Sequence, residues 1–181
     1  MTRFDFYSII DNMTHAKDTD FEEIKSIFKQ HREWFGFVRS DYIERTIINN
    51  GEKFNFPVSF DNKHQSNNYL IFEDDVIITY AINKVKHKLG KLPNVCNVKT
   101  YKGDVILHQI CAKNRNGSAS KVLQKFFKEH RRVFLTVRSD NETAKKFYKK
   151  NGMRLVGHTT FSGITPGDVY FYDGVEEVLY G

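Results

Sequence analysis

The sequence predicts a mixed α/β protein with one central sheet. Runs of apolar residues of strand length alternate with segments in which apolar residues recur every three or four positions. The order of these segments is two helices, a series of strands, and then helix, strand, helix and strand. A chain of 181 residues has the length of one ordinary domain. We therefore expect residues 1–181 to form a single mixed α/β domain.

The first part of the chain predicts a strand and two helices. Residues 4–10 have the composition of a strand. Asp18 and Asp20 can cap a helix that runs from about residue 21 to residue 31, where apolar residues have helical spacing. An apolar segment follows at 34–38, and Asp41 can cap a second helix that ends before Gly51.

The middle of the chain predicts strands. Residues 53–68 are polar and predict a loop or an irregular strand, and 69–72 and 76–85 predict a hairpin around an acidic turn. Residues 95–101 and 105–111 predict two further strands. Small and polar residues at 114–120 then precede an amphipathic helix at 121–130. Free backbone N–H groups at such a helix start, next to small side chains, would form a cradle for an anion.

The C-terminal part predicts a strand, a helix and two more strands. Residues 133–137 and 153–158 predict strands on either side of a helix that Asp140 or Asn141 can cap. Ala144 and Tyr148 share one face of this helix, and Gly152 follows its end. Residues 162–168 predict a loop rich in glycine and proline, and 169–172 predict a last strand.

The second helix of this part resembles the GNAT (Gcn5-related N-acetyltransferase) superfamily. The family motif N-x-x-A-x-x-x-Y-x-x-x-G-[FM] matches Asn141, Ala144, Tyr148, Gly152 and Met153. The wording around residues 31–38 is similar to that of small microbial and phage GNAT proteins. The resemblance implies a central, mostly antiparallel, twisted sheet flanked by helices. It also implies a cleft for acyl-CoA between splayed central strands.

The resemblance further implies that the loop at 114–120 binds the pyrophosphate of acetyl-CoA. The family wording [Q/R]-x-x-G-x-[G/A] can be matched to Asn114, Gly117 and Ala119, or one residue later to Arg115, Ser118 and Ser120. The residues then expected to bind the co-substrate are Ile110, Cys111, Ala112, Asn114, Arg115, Asn116, Gly117, Ser118, Ala119, Ser120 and Asn141.

Tyr148 and His108 are the predicted catalytic residues. In the family, the tyrosine of this helix points at the CoA sulfur and serves as general acid, and a tyrosine pKa near 10 suits protonation of a thiolate. A core tyrosine is the other interpretation. His108 could take the amine proton if it faces the same way as Ile110, but a structural histidine, a water chain, Asp104 and Glu73 remain alternatives. Cys111 is not expected to act as a nucleophile, because the sequence shows no pattern of His or Asp residues that would activate it.

Charge and composition limit the classes of partner. The net charge is +6, with basic clusters at 84–91, 113–128 and 145–150, which would suit the phosphates of CoA and would also attract nucleic acid. No apolar run of membrane-spanning length, signal peptide or metal-ligand spacing is present in the sequence. Two cysteines, Cys96 and Cys111, fit buried thiols in a cytoplasmic protein.

We therefore expect an N-acetyltransferase that moves an acetyl group from acetyl-CoA to an amine on a small molecule or a protein, as a monomer or a homodimer. A phage-type GNAT-fold enzyme that modifies DNA bases, like the Mom-type base modifiers, is one alternative. A non-catalytic binding protein on the GNAT scaffold is another, because a fold does not fix a function. Stabilisation by acetyl-CoA or salt-sensitive binding to DNA would distinguish these functions.

Overall fold

The computed structural model describes residues 13–35, 43–44, 66–83, 87–88, 98–161 and 164–174. The predicted strand at 4–10, most of the predicted second helix and Cys96 lie outside these residues. The helices are α1 (Phe21–Gln30), α2 (Arg32–Phe35), α3 (Ser118–Glu129) and α4 (Glu142–Lys150). The strands are β1 (Ser66–Glu73), β2 (Val76–Asn83), β3 (His87–Lys88), β4 (Lys99–Thr100), β5 (Val105–Ala112), β6 (Arg132–Arg138), β7 (Arg154–Phe161) and β8 (Thr165–Asp173).

Six strands form one sheet in the order β1-β2-β5-β6-β8-β7. Only β5 and β6 are parallel, since the other neighbouring strands of this sheet pair antiparallel. The parallel pair requires a crossover, and α3 supplies it. β3 and β4 form a separate two-stranded antiparallel pair. The expected mostly antiparallel central sheet with flanking helices is therefore confirmed.

Two apolar cores lie on opposite faces of the sheet. On one face, the apolar side of α3, including Leu123 and Phe126, packs with Leu135 of β6, Tyr148 of α4 and Tyr170 of β8. On the other face, Ile24, Ile27 and Phe28 of α1 pack with Leu70 and Ile77 of the β1–β2 hairpin. α3 and α4 thus cover one face, and α1 covers the other at the β1–β2 side.

The hairpin between β1 and β2 turns at Asp74 and Asp75, as the sequence predicts. Both residues have positive φ, 50° and 59°. A two-residue hairpin turn of this hand needs positive φ at both central positions, and aspartate tolerates that conformation better than most residues do.

The predicted loop at 162–168 is wrong, because β8 begins at Thr165. Pro166 lies near the start of the strand, where a missing N–H is tolerated. Gly167 faces β7 so closely that a Cβ would lie 2.7 Å from Cε2 of Phe161 and 2.9 Å from Cγ2 of Thr159. This glycine therefore permits close strand packing, although in the sequence it has the appearance of a turn residue.

Candidate active site

A cleft opens between the C-terminal ends of β5 and β6. The two strands pair only from Val105 to Leu107 and from Val133 to Leu135, and beyond these residues they separate. The cleft has a volume of about 1050 Å³. Residues of β5, the loop after it, α3, β6 and α4 line the cleft, and so do His31, Trp34 of α2, Phe161 of β7 and Thr165 of β8.

A β-bulge at His108 marks the point at which β5 leaves β6. Thr79 of β2 pairs with Gln109 and Tyr80 pairs with Leu107, so His108 is an extra residue. Leu107 and Ile110 therefore both face the α3–α4 core, three positions apart. The sequence argument that simple alternation places His108 on the face of Ile110 does not hold. A bulge bends its strand and increases its twist, which favours separation from β6.

The N-terminus of α3 forms one edge of the cleft. Its N-cap, Gly117, has φ +83°, a conformation that other residues rarely adopt. Oδ1 of Asn116 accepts hydrogen bonds from the N–H (3.1 Å) and the hydroxyl of Ser118. Gly117, Ala119 and Ser120 line the cleft, whereas Asn116 and Ser118 do not. Asn116 and Ser118 thus hold the turn, and their neighbours face the open space.

The structure brings most of the predicted site residues to this one cleft. The predicted residues that line it are His108, Ile110, Cys111, Ala112, Asn114, Arg115, Gly117, Ala119, Ser120, Asn141 and Tyr148. Asn116 and Ser118 are the two predicted residues that do not. The loop 114–120 and the start of α4, which are distant in sequence, therefore belong to one site.

Both ends of α4 are capped. Asn141 is the N-cap, and its Oδ1 accepts a hydrogen bond from the N–H of Ala144 at 3.1 Å. At the other end Gly152 has φ +92°, and the N–H of Met153 bonds to the carbonyl of Tyr148 at 3.0 Å. These contacts form a Schellman motif. The helix that carries Tyr148 is therefore fixed at its beginning and its end.

Tyr148 keeps its proton over the neutral pH range. Its side chain packs in the α3–α4 core, and its residue exposure is 8%. Burial, and to a smaller extent the nearby Cys111, raises the pKa of its hydroxyl well above 10. Within the described part of the chain, no group is hydrogen-bonded to this hydroxyl. The hydroxyl therefore remains available to an occupant of the cleft.

Cys111 and His108 are both uncharged at neutral pH. Burial raises the pKa of the Cys111 thiol to about 12, so this residue supplies no thiolate nucleophile. Desolvation lowers the pKa of His108 to about 4, because protein surrounds the cleft in which its side chain lies. The His108 side chain is nevertheless open to the cleft, and a neutral imidazole there can accept a proton from a ligand.

The two carboxylates considered as bases are elsewhere. Asp104 accepts hydrogen bonds from the N–H of Tyr101 at 2.8 Å and from Nε of Arg132 at 2.7 Å. Glu73 is paired with Lys125 at 2.6 Å. Neither lines the cleft. The structure therefore does not support either residue as a base, because both form ion pairs outside the described cleft lining.

Asn151 connects the two helices beside the cleft. Its Nδ2 donates to the carbonyl of Phe147 (2.8 Å) and to Oγ of Ser120 (3.2 Å), and its Oδ1 accepts from Nε2 of Gln124 (3.1 Å). Gln124 also bonds to the Asn151 carbonyl at 3.0 Å. The first turn of α3 is thereby tied to the last turn of α4.

Arg138, which the sequence argument did not assign to the cleft, lies on its other side. Arg138 bonds to Asp140 through Nε (3.0 Å) and Nη2 (2.7 Å), and its guanidinium lies 5.5 Å from the ring centre of Trp34. His31 lines the same side and donates a hydrogen bond from Nε2 to the carbonyl of Ala112 at 2.9 Å. Lys150 lines the α4 side. In the sequence, Arg138 is a charged residue directly after the apolar run 133–137, and this position was the available signal for a place in the cleft.

The described residues contain neither a metal-ligand group nor a membrane-spanning helix. Among them, no group of three or more His, Cys, Asp or Glu side chains is arranged to hold a metal ion. None of the helices in the described ranges has both the length and the apolar character needed to cross a bilayer.

Comparisons with known proteins agree on the fold. No protein-family model matches this chain, and no curated protein matches it in sequence. A GNAT-family acetyltransferase from Streptococcus agalactiae is 13% identical, with a TM-score of 0.62 over 89% of this chain and 94% of that one. The ribosomal-protein-S18-alanine N-acetyltransferase of Escherichia coli is 14% identical, with a TM-score of 0.56 over 93% and 98%.

Arabidopsis thaliana NAA60, solved in complex with acetyl-CoA, is 15% identical to this chain. Its TM-score is 0.55 over 89% of this chain and 98% of NAA60. The chain therefore has the GNAT acetyltransferase fold, and the resemblance noted in the sequence is confirmed at the level of the fold.

Proposed function

We propose that this protein is an N-acetyltransferase that transfers an acetyl group from acetyl-CoA to an amine. The observation that carries the proposal is the convergence of three features on one cleft: splayed parallel strands, a helix N-terminus with a left-handed glycine, and the hydroxyl of a largely buried tyrosine, which has no protein partner in the described residues. The similar structures support the proposal, since they include N-acetyltransferases of this fold.

The cleft residues fit the chemical groups of acetyl-CoA. A Cβ at Gly117 would meet no protein atom within 4 Å, so the space beside this glycine is open to a ligand. The N-terminus of α3 attracts anions, and the cationic side chains of Arg115 and Lys150 also line the cleft. We infer that these groups bind the phosphates of the donor. We call α3, α4 and the loop between β5 and α3 the donor wall.

Direct attack by the amine accounts for the reaction. The neutral amine nitrogen attacks the thioester carbonyl carbon, so that a C–N bond forms and the C–S bond breaks. Backbone N–H groups of Ile110 to Ala112 would polarise the carbonyl oxygen, because β6 does not pair with this part of β5. His108 or a water molecule accepts the proton that the amine nitrogen loses, and Tyr148 donates its hydroxyl proton to the leaving thiolate.

Burial strengthens the released thiolate as a base, and this offsets the raised pKa of the Tyr148 hydroxyl. A thiol in water is a stronger acid than tyrosine, so its thiolate takes a tyrosine proton only weakly. Burial raises the pKa of the Cys111 thiol in the wall of this cleft to about 12. The same desolvation would act on a thiolate released beside Tyr148 and would make it a stronger base.

A thermal-shift titration with acetyl-CoA, CoA and a short DNA duplex, at low and moderate salt, tests the proposal. We expect saturable stabilisation by acetyl-CoA and CoA, and loss of it when Gly117 is replaced by aspartate. No response to either CoA species, combined with salt-sensitive binding to DNA, would overturn the proposal in favour of the base-modifying alternative. No response to any of the three would favour a non-catalytic protein.

A further inference from the structure

The charged side chains that line the cleft are all cationic. Among the described residues, Arg115, Arg138 and Lys150 line it, and no aspartate or glutamate does. Arg115 and Lys150 belong to the donor wall, where the phosphates of CoA account for them. Arg138 requires another explanation, because it lies on the other face of the sheet.

The position of Arg138 follows from the alternation along β6. Val133, Leu135 and Val137 face the α3–α4 core. Arg138, the next residue, therefore faces the opposite side, where it contacts Trp34 of α2. If the donor occupies the α3–α4 side, the amine must approach from this opposite side. We call α2 and the end of β6 the acceptor wall.

The Arg138 side chain is held in place and is only partly used. Asp140 takes hydrogen bonds from Nε and Nη2, and the ring of Trp34 supports the guanidinium. Nη1 has no hydrogen-bond partner among the described residues, and Glu33 of α2 acts on the guanidinium only through its charge. Since the side chains of Arg138 and Asp140 are 41% and 61% exposed, their pairing is weak and leaves the cation able to bind a second anion.

We propose that the acceptor is a small amine that also carries a carboxylate, and that Arg138 binds this carboxylate. The inference rests on the proposed acetyl transfer. A guanidinium presents paired N–H groups whose geometry matches a carboxylate. Trp34, which is 37% exposed, and Phe161 provide apolar surface for the rest of the molecule. A polycationic acceptor is disfavoured, because no aspartate or glutamate among the described lining residues would bind its positive charges.

Matched acceptors test this assignment. Thiol release from acetyl-CoA is measured with free L-amino acids, with the corresponding amino-acid amides and with spermidine. We expect kcat/KM for the acids to exceed that for the amides by roughly 10- to 100-fold, the range for hydrogen bonds to a charged group. In Arg138→Gln this difference should shrink to less than about threefold, while the affinity for acetyl-CoA stays the same.

Asp140→Asn is the matched variant on the other side of the ion pair. It removes the competing carboxylate and should increase the preference for acids over amides, which a merely structural role of the pair would not do. Equal rates for acids and amides, or a preference for spermidine, would overturn the inference. If acetyl-CoA fails to stabilise the wild-type protein at all, the proposed function itself fails, and this separate measurement distinguishes the two failures.

Discussion

The donor wall and the acceptor wall of the cleft are held by different interactions. The donor wall has capped helix ends and a network of partly buried hydrogen bonds centred on the buried residue Asn151. The acceptor wall depends on partly exposed contacts, such as the Arg138–Asp140 ion pair and the arginine–tryptophan contact. Buried hydrogen bonds stabilise a structure more than exposed ion pairs do. The difference indicates a donor site of fixed geometry beside an acceptor site that substitutions can alter at little cost in stability.

The largest expected effect tests the chemistry of the donor wall. Tyr148→Phe keeps the ring and removes the hydroxyl, so kcat should fall by about 10²- to 10⁴-fold, the usual contribution of a general acid. Affinity for acetyl-CoA should change little. Rates of thiol release measure this, and an unchanged kcat would show that water supplies the proton.

Tyr170→Phe is the control for that variant. The two tyrosine rings are 6.1 Å apart, and the Tyr170 hydroxyl is buried with no recorded partner in the described structure. Its removal should leave kcat unchanged and raise the free energy of unfolding by up to about 1 kcal/mol.

The second prediction separates backbone strain from ligand binding. Gly117→Ala and Gly103→Ala place a side chain at similar positive φ, +83° and +90°, and neither added Cβ meets a protein atom within 4 Å. Both variants should lose about 1–2 kcal/mol of stability. Only Gly117→Ala should weaken acetyl-CoA binding, by roughly tenfold, because only that residue lines the cleft. Calorimetric titration measures the affinity for acetyl-CoA. Equal affinities in the two variants would contradict the proposal that acetyl-CoA binds at Gly117.

The third prediction measures how firmly the donor wall is held. Asn151→Ala removes three hydrogen bonds of its side chain. The free energy of unfolding should fall by about 2–3 kcal/mol in a urea titration, since each bond contributes about 1 kcal/mol. Lys149→Ala, at an exposed position of the same helix, should change it by less than about 0.5 kcal/mol. If Asn151→Ala lowers the free energy of unfolding by no more than Lys149→Ala does, the donor wall is not held more firmly than the acceptor wall.

The smallest effect concerns His108 and pH. Its pKa is about 4 in the folded protein and 6.5 for an unperturbed histidine. As the pH falls from 6.5 towards 4, the unfolded chain therefore takes up a proton that the folded protein does not, and stability decreases. Because the side chain is open to the cleft, the decrease should be modest. Urea titrations at pH 7 and pH 4.5 should show a smaller loss for His108→Gln than for the wild type, and an equal loss would mean that His108 titrates normally.

Local signals explain how much of the donor wall could be predicted from the sequence. The caps of α4, at Asn141 and Gly152, and the glycine at the start of α3 depend on residues within one or two turns. Short-range preferences therefore predicted a cap for α4 at Asp140 or Asn141 and its end at Gly152, but they placed the start of α3 at residue 121, three residues after its observed start at Ser118.

The features that the sequence did not reveal depend on distant contacts. The bulge at His108 exists because of its pairing with β2, and Gly167 is required by Phe161 on the neighbouring strand. Trp34 and Arg138, which are far apart in the chain, meet only once the sheet is formed. A residue's own neighbours in sequence carry no signal for such contacts, so the acceptor wall could not be assembled from periodicity alone.

The bulge in β5 has a consequence for how such a cleft can originate. Deletion of His108 would pair Leu107 and Gln109 with consecutive residues of β2 and leave the other side chains of β5 on their present faces. A chain shorter by this residue would therefore have a regular strand, without the bend that leads β5 away from β6. The extra residue of β5 thus lies at the point where the sheet opens into the cleft.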